Sequence, residues 1–173
     1  MKKKFSISVL ISGNLKKKIF NITKNINHTN PDKHISIPHI NILSGSYNDQ
    51  TKLLRMFKKI KFKKNIIIKS IGVGVFAGKK NIIYLRFELN NYIKKFRKYV
   101  FKTVNLKNKQ IDLTARDLLW TPKCTIAILK GHNRKFLSIL NYTKGKLSKH
   151  NFSTKNLALM DVTSPEEIIL KKK

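Results

Sequence analysis

Apolar and polar positions in this chain fall into two periods, and the changeovers between them outline its elements. Residues 34–43 (HISIPHINIL) set Ile35, Ile37, Ile40 and Ile42 between polar positions. That alternation predicts a strand, which Pro38 confines to an edge or a bulge. Residues 51–57 and 65–71 predict the two strands of a hairpin, with 58–64 (KKIKFKK) as a basic finger between them. Across 82–101, Leu85, Leu89, Tyr92, Ile93, Phe96, Tyr99 and Val100 recur at helical spacing, which predicts one amphipathic helix. Lys94, Lys95, Arg97 and Lys98 crowd its later turns, where cations suit the helix dipole. Residues 124–129 (CTIAIL) predict a strand, 130–133 a turn, 134–142 a short helix and 156–162 a last strand. Residues 165–170 predict one helical turn.

The order strand, hairpin, helix, strand, helix, strand predicts an α/β single domain. Its mixed sheet, antiparallel in the first hairpin, would be flanked by two main helices. Residues 1–33 are expected as a basic N-terminal extension, an arm with one short strand near 5–11, ending at the turn signal Asn30-Pro31-Asp32. The domain proper would span 34–164. Within it, 103–123 reads as an insertion, with Thr114-x-x-Asp117 opening a short helix that Pro122 stops. Residues 165–173 would form a basic C-terminal tail. No internal repeat is apparent.

Charge changes this picture most. The chain has 173 residues, with 38 Lys+Arg against 8 Asp+Glu, a net charge of +30. Such a surface repels itself, so the folded chain is expected to work against a polyanion, and nucleic-acid phosphate is the first candidate. The abundance of Lys, Ile and Asn also fits an AT-rich coding sequence, which lowers the weight of any one lysine. Cys124 is the only cysteine, so neither a disulfide framework nor a thiolate metal site is expected, in keeping with a reducing interior. No apolar run reaches the roughly 18 residues of a membrane span, and no membrane partner is expected.

Catalytic chemistry is sparse on this reading. Asp49, Glu88 and Asp161 are the candidates to converge as carboxylate ligands, which leaves a metal-dependent, nuclease-like organellar enzyme as the alternative function. Each of the three also suits a turn, a helix surface or a strand end. His28, His34, His39, His132 and His150 follow no metal spacing, and His34 and His39 read as strand or loop residues. No nucleophile signature is present. Gly72-x-Gly74-x-x-x-Gly78, followed by Lys79-Lys80, offers close backbone approach and free N–H groups to a phosphate. Neither a cofactor nor a small-molecule substrate is expected.

Three blocks resemble the small-subunit ribosomal protein eleven family. Ser46-Tyr47-Asn48-Asp49-Gln50-Thr51 is similar to its Ser-Phe-Asn-Asn-Thr block. Gly74-Val75-Phe76-Ala77-Gly78-Lys79-Lys80 resembles its glycine-basic loop before a long helix. Leu129-Lys130-Gly131 with Arg134, then Asp161-Val162-Thr163, resembles its Val-Lys-Gly turn and Asp-Val-Thr strand end. The resemblance covers roughly 40–164 and departs at the tail, the helix start and the shortened Gly131–Arg134 turn. It implies a non-enzymatic constituent of the small-subunit platform in a mitochondrial ribosome. The partners would be small-subunit ribosomal RNA and neighbouring ribosomal proteins. The RNA contacts expected are Asn48, Lys58, Lys59, Lys61, Lys63, Lys64, Gly74, Gly78, Lys79, Lys80, Lys130, Gly131, Arg134, Lys135, Lys171, Lys172 and Lys173.

Overall fold

The run FSISVL near the N-terminus lies in the middle of a sheet, and the rest of the fold is laid against it. The structure, a computed structural model, describes residues 3–29, 37–61, 65–105, 111–113, 120–130, 134–147, 149–162 and 167–172. The elements are β1 (Lys3–Leu10), α1 (Gly13–Thr29), β2 (His39–Tyr47), α2 (Gln50–Lys59), β3 (Ile66–Phe76), β4 (Lys80–Phe87), α3 (Asn91–Asn105), β5 (Ile111–Leu113), β6 (Lys123–Lys130), α4 (Phe136–Lys146), β7 (Asn151–Thr154), β8 (Leu157–Asp161) and β9 (Glu167–Lys172). They build two sheets, ordered β5-β2-β1-β8-β9 and β6-β4-β3-β7. All the pairings among the described residues are antiparallel.

The chain is therefore α/β, as the pattern predicts, but the described residues form two antiparallel sheets in place of one mixed sheet and four helices in place of two. The helices lay their apolar stripes on the sheets. Leu15, Ile19, Ile22 and Ile26 form the buried stripe of α1, and Ile93, Phe96, Val100 and Val104 that of α3. One apolar core runs under both sheets, from Phe5 and Ile7 through Ile40 and Ile42 to Ile68, Ile83 and Leu85. No helix among the described residues is long and apolar enough to cross a membrane.

Several expectations change. Residues 3–29 are a central strand and a helix, with Phe5, Ile7 and Val9 fully buried between β2 and β8. The first hairpin strand is instead α2, whose N-cap Asp49 accepts a hydrogen bond from the Lys52 amide at 3.1 Å. Lys58 and Lys59 are thus the last turn of a helix, not a hairpin finger, and Lys63 and Lys64 lie outside the described residues. The helix expected from 82 starts only at Asn91, because 80–87 is β4. The region read as an insertion supplies the end of α3, β5 and the start of β6; its 114–117 capping pattern lies outside the described residues. Residues 167–172 pair with β8 as a strand, so no helical turn forms there.

Candidate functional site

Two strands, one from each sheet, lie against one another: β2 and β6. They are built alike. Pro38-His39-Ile40-Asn41-Ile42 opens β2, and Pro122-Lys123-Cys124-Thr125-Ile126 opens β6. The Pro38 carbonyl accepts from the Ile11 amide at 3.0 Å, and the Pro122 carbonyl from the Phe87 amide at 3.0 Å. Each proline thus closes the ladder to the neighbouring strand at the same step. Each strand then bulges at the same place. Ile42 is the extra residue between the Ile7–Leu43 and Ser8–Asn41 pairs, and Ile126 between the Ile83–Ala127 and Tyr84–Thr125 pairs. The sheets repeat too, β2-β1-β8-β9 matching β6-β4-β3-β7. An internal two-fold repeat is therefore present, and its signal in the sequence is the short pattern Pro-x-x-Asn/Thr-Ile.

The repeat sets His39 and Lys123 at equivalent positions, each with a small polar residue two places on and so on the same face: Asn41 and Thr125. All four side chains are half-buried. His39 Nδ1 lies 2.7 Å from the Ile37 carbonyl. A carbonyl only accepts, so Nδ1 carries the proton and Nε2 is the nitrogen left to accept one. Lys123 sits on aromatic faces, its Nζ 4.2 Å from the Phe76 ring centre and 5.7 Å from that of Tyr84. The two rings stack at 4.6 Å. Burial lowers the Lys123 ammonium below the ordinary lysine value.

Side chains hold the β2 half in place. β5 reaches only Gly45–Tyr47. Nearer His39, Trp120 Nε1 donates to the Asn41 carbonyl at 3.1 Å, and Arg97 Nε to the Ile42 carbonyl at 3.0 Å. The Arg97 guanidinium also lies 4.7 Å over the Trp120 ring. The bulge carbonyls are thus satisfied without a neighbouring strand, and Trp120 ties β2 to the residues that lead into β6.

The residues expected at the site fare differently. Among the described residues no three His, Cys, Asp or Glu come together for a metal. Asp49 caps α2, Glu88 is exposed just beyond β4, and Asp161 ends β8, where its charge, after burial, raises the Tyr47 phenol. Gly74 does make a close approach, but to Tyr84. A Cβ at Gly74 would stand 2.6 Å from Tyr84 Cζ. Gly72 follows a bulge in β3 at a φ of 133°, open to glycine alone. Gly78 donates its amide to Asn81 Oδ1 in the β3–β4 turn, beside Lys79 and Lys80. Lys80 pairs with Lys130 across the ladder. Lys61 follows α2, its amide on Tyr99 Oη, while Asn48 is exposed ahead of that helix. Arg134 and Lys135 precede α4, and Lys171 and Lys172 belong to β9. Gly131 and Lys173 lie outside the described residues. Among the described residues, Lys79, Lys80 and Lys130 meet at one end of the β4–β6 ladder, Lys58, Lys59 and Lys61 follow one another at the end of α2, and the others are spread over separate elements.

No family model and no curated protein sequence matches the chain. Solved structures do. The crystal structure of TT0787 of Thermus thermophilus matches with a TM-score of 0.67 at 10% identity, over 99% of this chain and 96% of the other. Usb1 of Kluyveromyces marxianus matches with a TM-score of 0.54 at 9% identity, over 97% of this chain and 98% of the other. At such identities the likeness is one of fold, and it overturns the resemblance to ribosomal protein eleven. The glycine-basic block is the turn of a β-hairpin, not a loop before a long helix, and the Ser46–Thr51 block joins β2 to α2. The platform role, the ribosomal-protein partners and the non-enzymatic function rested on that resemblance and fall with it. The chain has, over nearly its whole length, the two-sheet architecture of TT0787 and Usb1.

Proposed function

We propose that the chain is an enzyme that cleaves or transfers phosphodiesters of RNA at the junction of β2 and β6. The observation that carries this reading is the placement of His39 and Lys123 at the same step of two equivalent, facing strands. An imidazole with a free Nε2 is a proton acceptor, and an ammonium with a lowered pKa is a better proton donor than an ordinary lysine. Together they make a base and an acid, flanked by the Asn41 amide and the Thr125 hydroxyl as donors to phosphoryl oxygens.

In the step these groups suit, a ribose 2′-hydroxyl gives its proton to Nε2 of His39 as its oxygen attacks the adjacent phosphorus. The bond from phosphorus to the 5′-oxygen breaks. Lys123 faces the charge that gathers on the phosphoryl and leaving oxygens and supplies the leaving oxygen's proton. RNA suits such a site because it carries its own nucleophile already in place. The net charge of +30 supports a polyanionic substrate.

The test is a set of end-labelled oligonucleotides of one sequence: all-RNA, RNA with single 2′-deoxy positions, and all-DNA. Cleavage of RNA that stops at each 2′-deoxy position is expected. DNA cut as fast as RNA, or RNA left whole, would sink the reading.

A further inference from the structure

The two sheets present equivalent faces beside the His39/Lys123 junction, and only one of them is covered. On the first sheet, Leu10, Ala158 and Met160 form a buried apolar group with Ile37 packed against it, and Ser6 and Ser8 are fully buried. On the second sheet the same face is open. Along β3, residues 66–70 alternate buried and exposed, which turns Ile67 and Lys69 outward with Ile67 65% exposed. Ile71, the extra residue of the β3 bulge, is 40% exposed and Phe76 42%. Across the ladder, Arg86 is exposed opposite Gly72 and Lys123, and Tyr84 lies opposite Gly74 and Thr125. Three large apolar side chains thus face water on one strand, interleaved with Lys69 and bordered by Arg86, Lys80 and Lys123.

Apolar surface of this kind on a face lined with cations is unusual for a bare strand. We propose that this face is a track for unpaired RNA that leads away from the His39/Lys123 junction. Charge complementarity selects the occupant: Lys69, Lys80, Arg86 and Lys123 take phosphates, while Ile67 and Ile71 take base faces and Phe76 carries Lys123 at the junction end. A duplex keeps its bases stacked inside and offers such a surface only phosphate and ribose, whereas a single strand offers both partners. From Phe76 to Ile67 the strand runs roughly 30 Å at about 3.3 Å per residue, room for several nucleotides. The proposal rests on the reading of the junction as an RNA site and adds its substrate class: a single strand with several nucleotides on one side of the reacting phosphate.

The test measures binding of a labelled 10-nucleotide single-stranded RNA and of an RNA hairpin by fluorescence anisotropy, together with turnover of the single strand. Wild type, Ile67→Glu/Ile71→Glu and Ile67→Ser/Ile71→Ser are compared, the second variant removing apolar surface without adding negative charge. Both positions face water, and equal thermal midpoints establish that the variants fold. Wild type is expected to bind the single strand at least about tenfold more tightly than the hairpin, since stacking contributes roughly 1–3 kcal/mol per base. Both variants are expected to lose about tenfold in single-strand affinity and to raise KM about tenfold, with kcat kept. Equal binding of the two RNAs, or unchanged affinity in both variants, overturns the track. Either result leaves the junction chemistry standing if His39→Gln still abolishes turnover, whereas turnover that survives His39→Gln removes the junction reading and leaves the binding result to judge the track.

Discussion

At the scale of the residue, the site depends on two side chains whose surroundings set their protonation. His39 is fixed by one carbonyl, that of Ile37, which leaves Nε2 to accept a proton. Lys123 is held over the Phe76 and Tyr84 rings, and burial disfavours its charged form. With its pKa lowered, Lys123 loses its proton at a lower pH than an exposed lysine. Activity that needs the ammonium is therefore expected to fall on an alkaline limb below the ordinary lysine value of about 10.4. Lys123→Arg keeps the charge but has no proton to give in this range, so it should lose the limb together with most of the activity, and Lys123→Met should remove most activity at every pH. A limb that stays in place in Lys123→Arg would assign it to another group. Neither residue was legible as a functional residue. A lone histidine after a proline and a lysine among many carry no mark of their own, and only the repeated Pro-x-x-Asn/Thr-Ile pattern sets them apart.

At the scale of the element, the site depends on how the two facing strands are finished. Trp120 and Arg97 satisfy the carbonyls of the β2 bulge. Trp120→Phe keeps an aromatic side chain but removes the donor, leaving the Asn41 carbonyl without it. A loss of about 1–3 kcal/mol is expected, measured by urea unfolding; an unchanged midpoint would mean that water replaces the indole N–H. In β3, Gly74 makes room for Tyr84, and a Cβ there would meet the ring at 2.6 Å. Gly74→Ala should therefore cost roughly 1–3 kcal/mol and lower the thermal midpoint by about 2–4 °C per kcal/mol for a domain of this size. It should also weaken activity by displacing the rings beneath Lys123.

Element types were legible where one face alone is buried. α3 after Asn91, α4 and β6 follow their periods. The misreadings have physical causes. In β4, Tyr84 and Leu85 are both buried although they point to opposite faces, because Tyr84 stacks under Phe76, and the apolar run then mimics a helix. In β1, Ser6 and Ser8 are fully buried and bonded to each other, so a central strand looks amphipathic and exposed. α2 did carry its own signal, since Asp49 caps it and Leu53, Met56 and Phe57 are spaced for a helix.

At the scale of the whole molecule, charge pointed to a polyanion but gave no hint of its form, and three short blocks in the right order suggested a ribosomal fold that this chain does not have. Motifs of a few residues constrain turns; the strand order constrains the fold, and it was hidden in long-range pairings such as β1 with β8 and β3 with β7. If Lys69, Lys80, Arg86 and Lys123 each take one phosphate, the logarithm of single-strand affinity should fall with the logarithm of salt at a slope of roughly −3. A slope near zero would place the RNA elsewhere.

The reading of the junction stands or falls on proton transfer by His39. Single-turnover cleavage of a labelled RNA by wild type and His39→Gln, both at saturating protein, probes that transfer without interference from binding. His39→Gln is expected to bind the RNA with unchanged affinity and to cleave it about 10²–10⁴-fold more slowly, the range for loss of a general base. Equal cleavage rates in the two proteins would show that His39 moves no proton in the reaction.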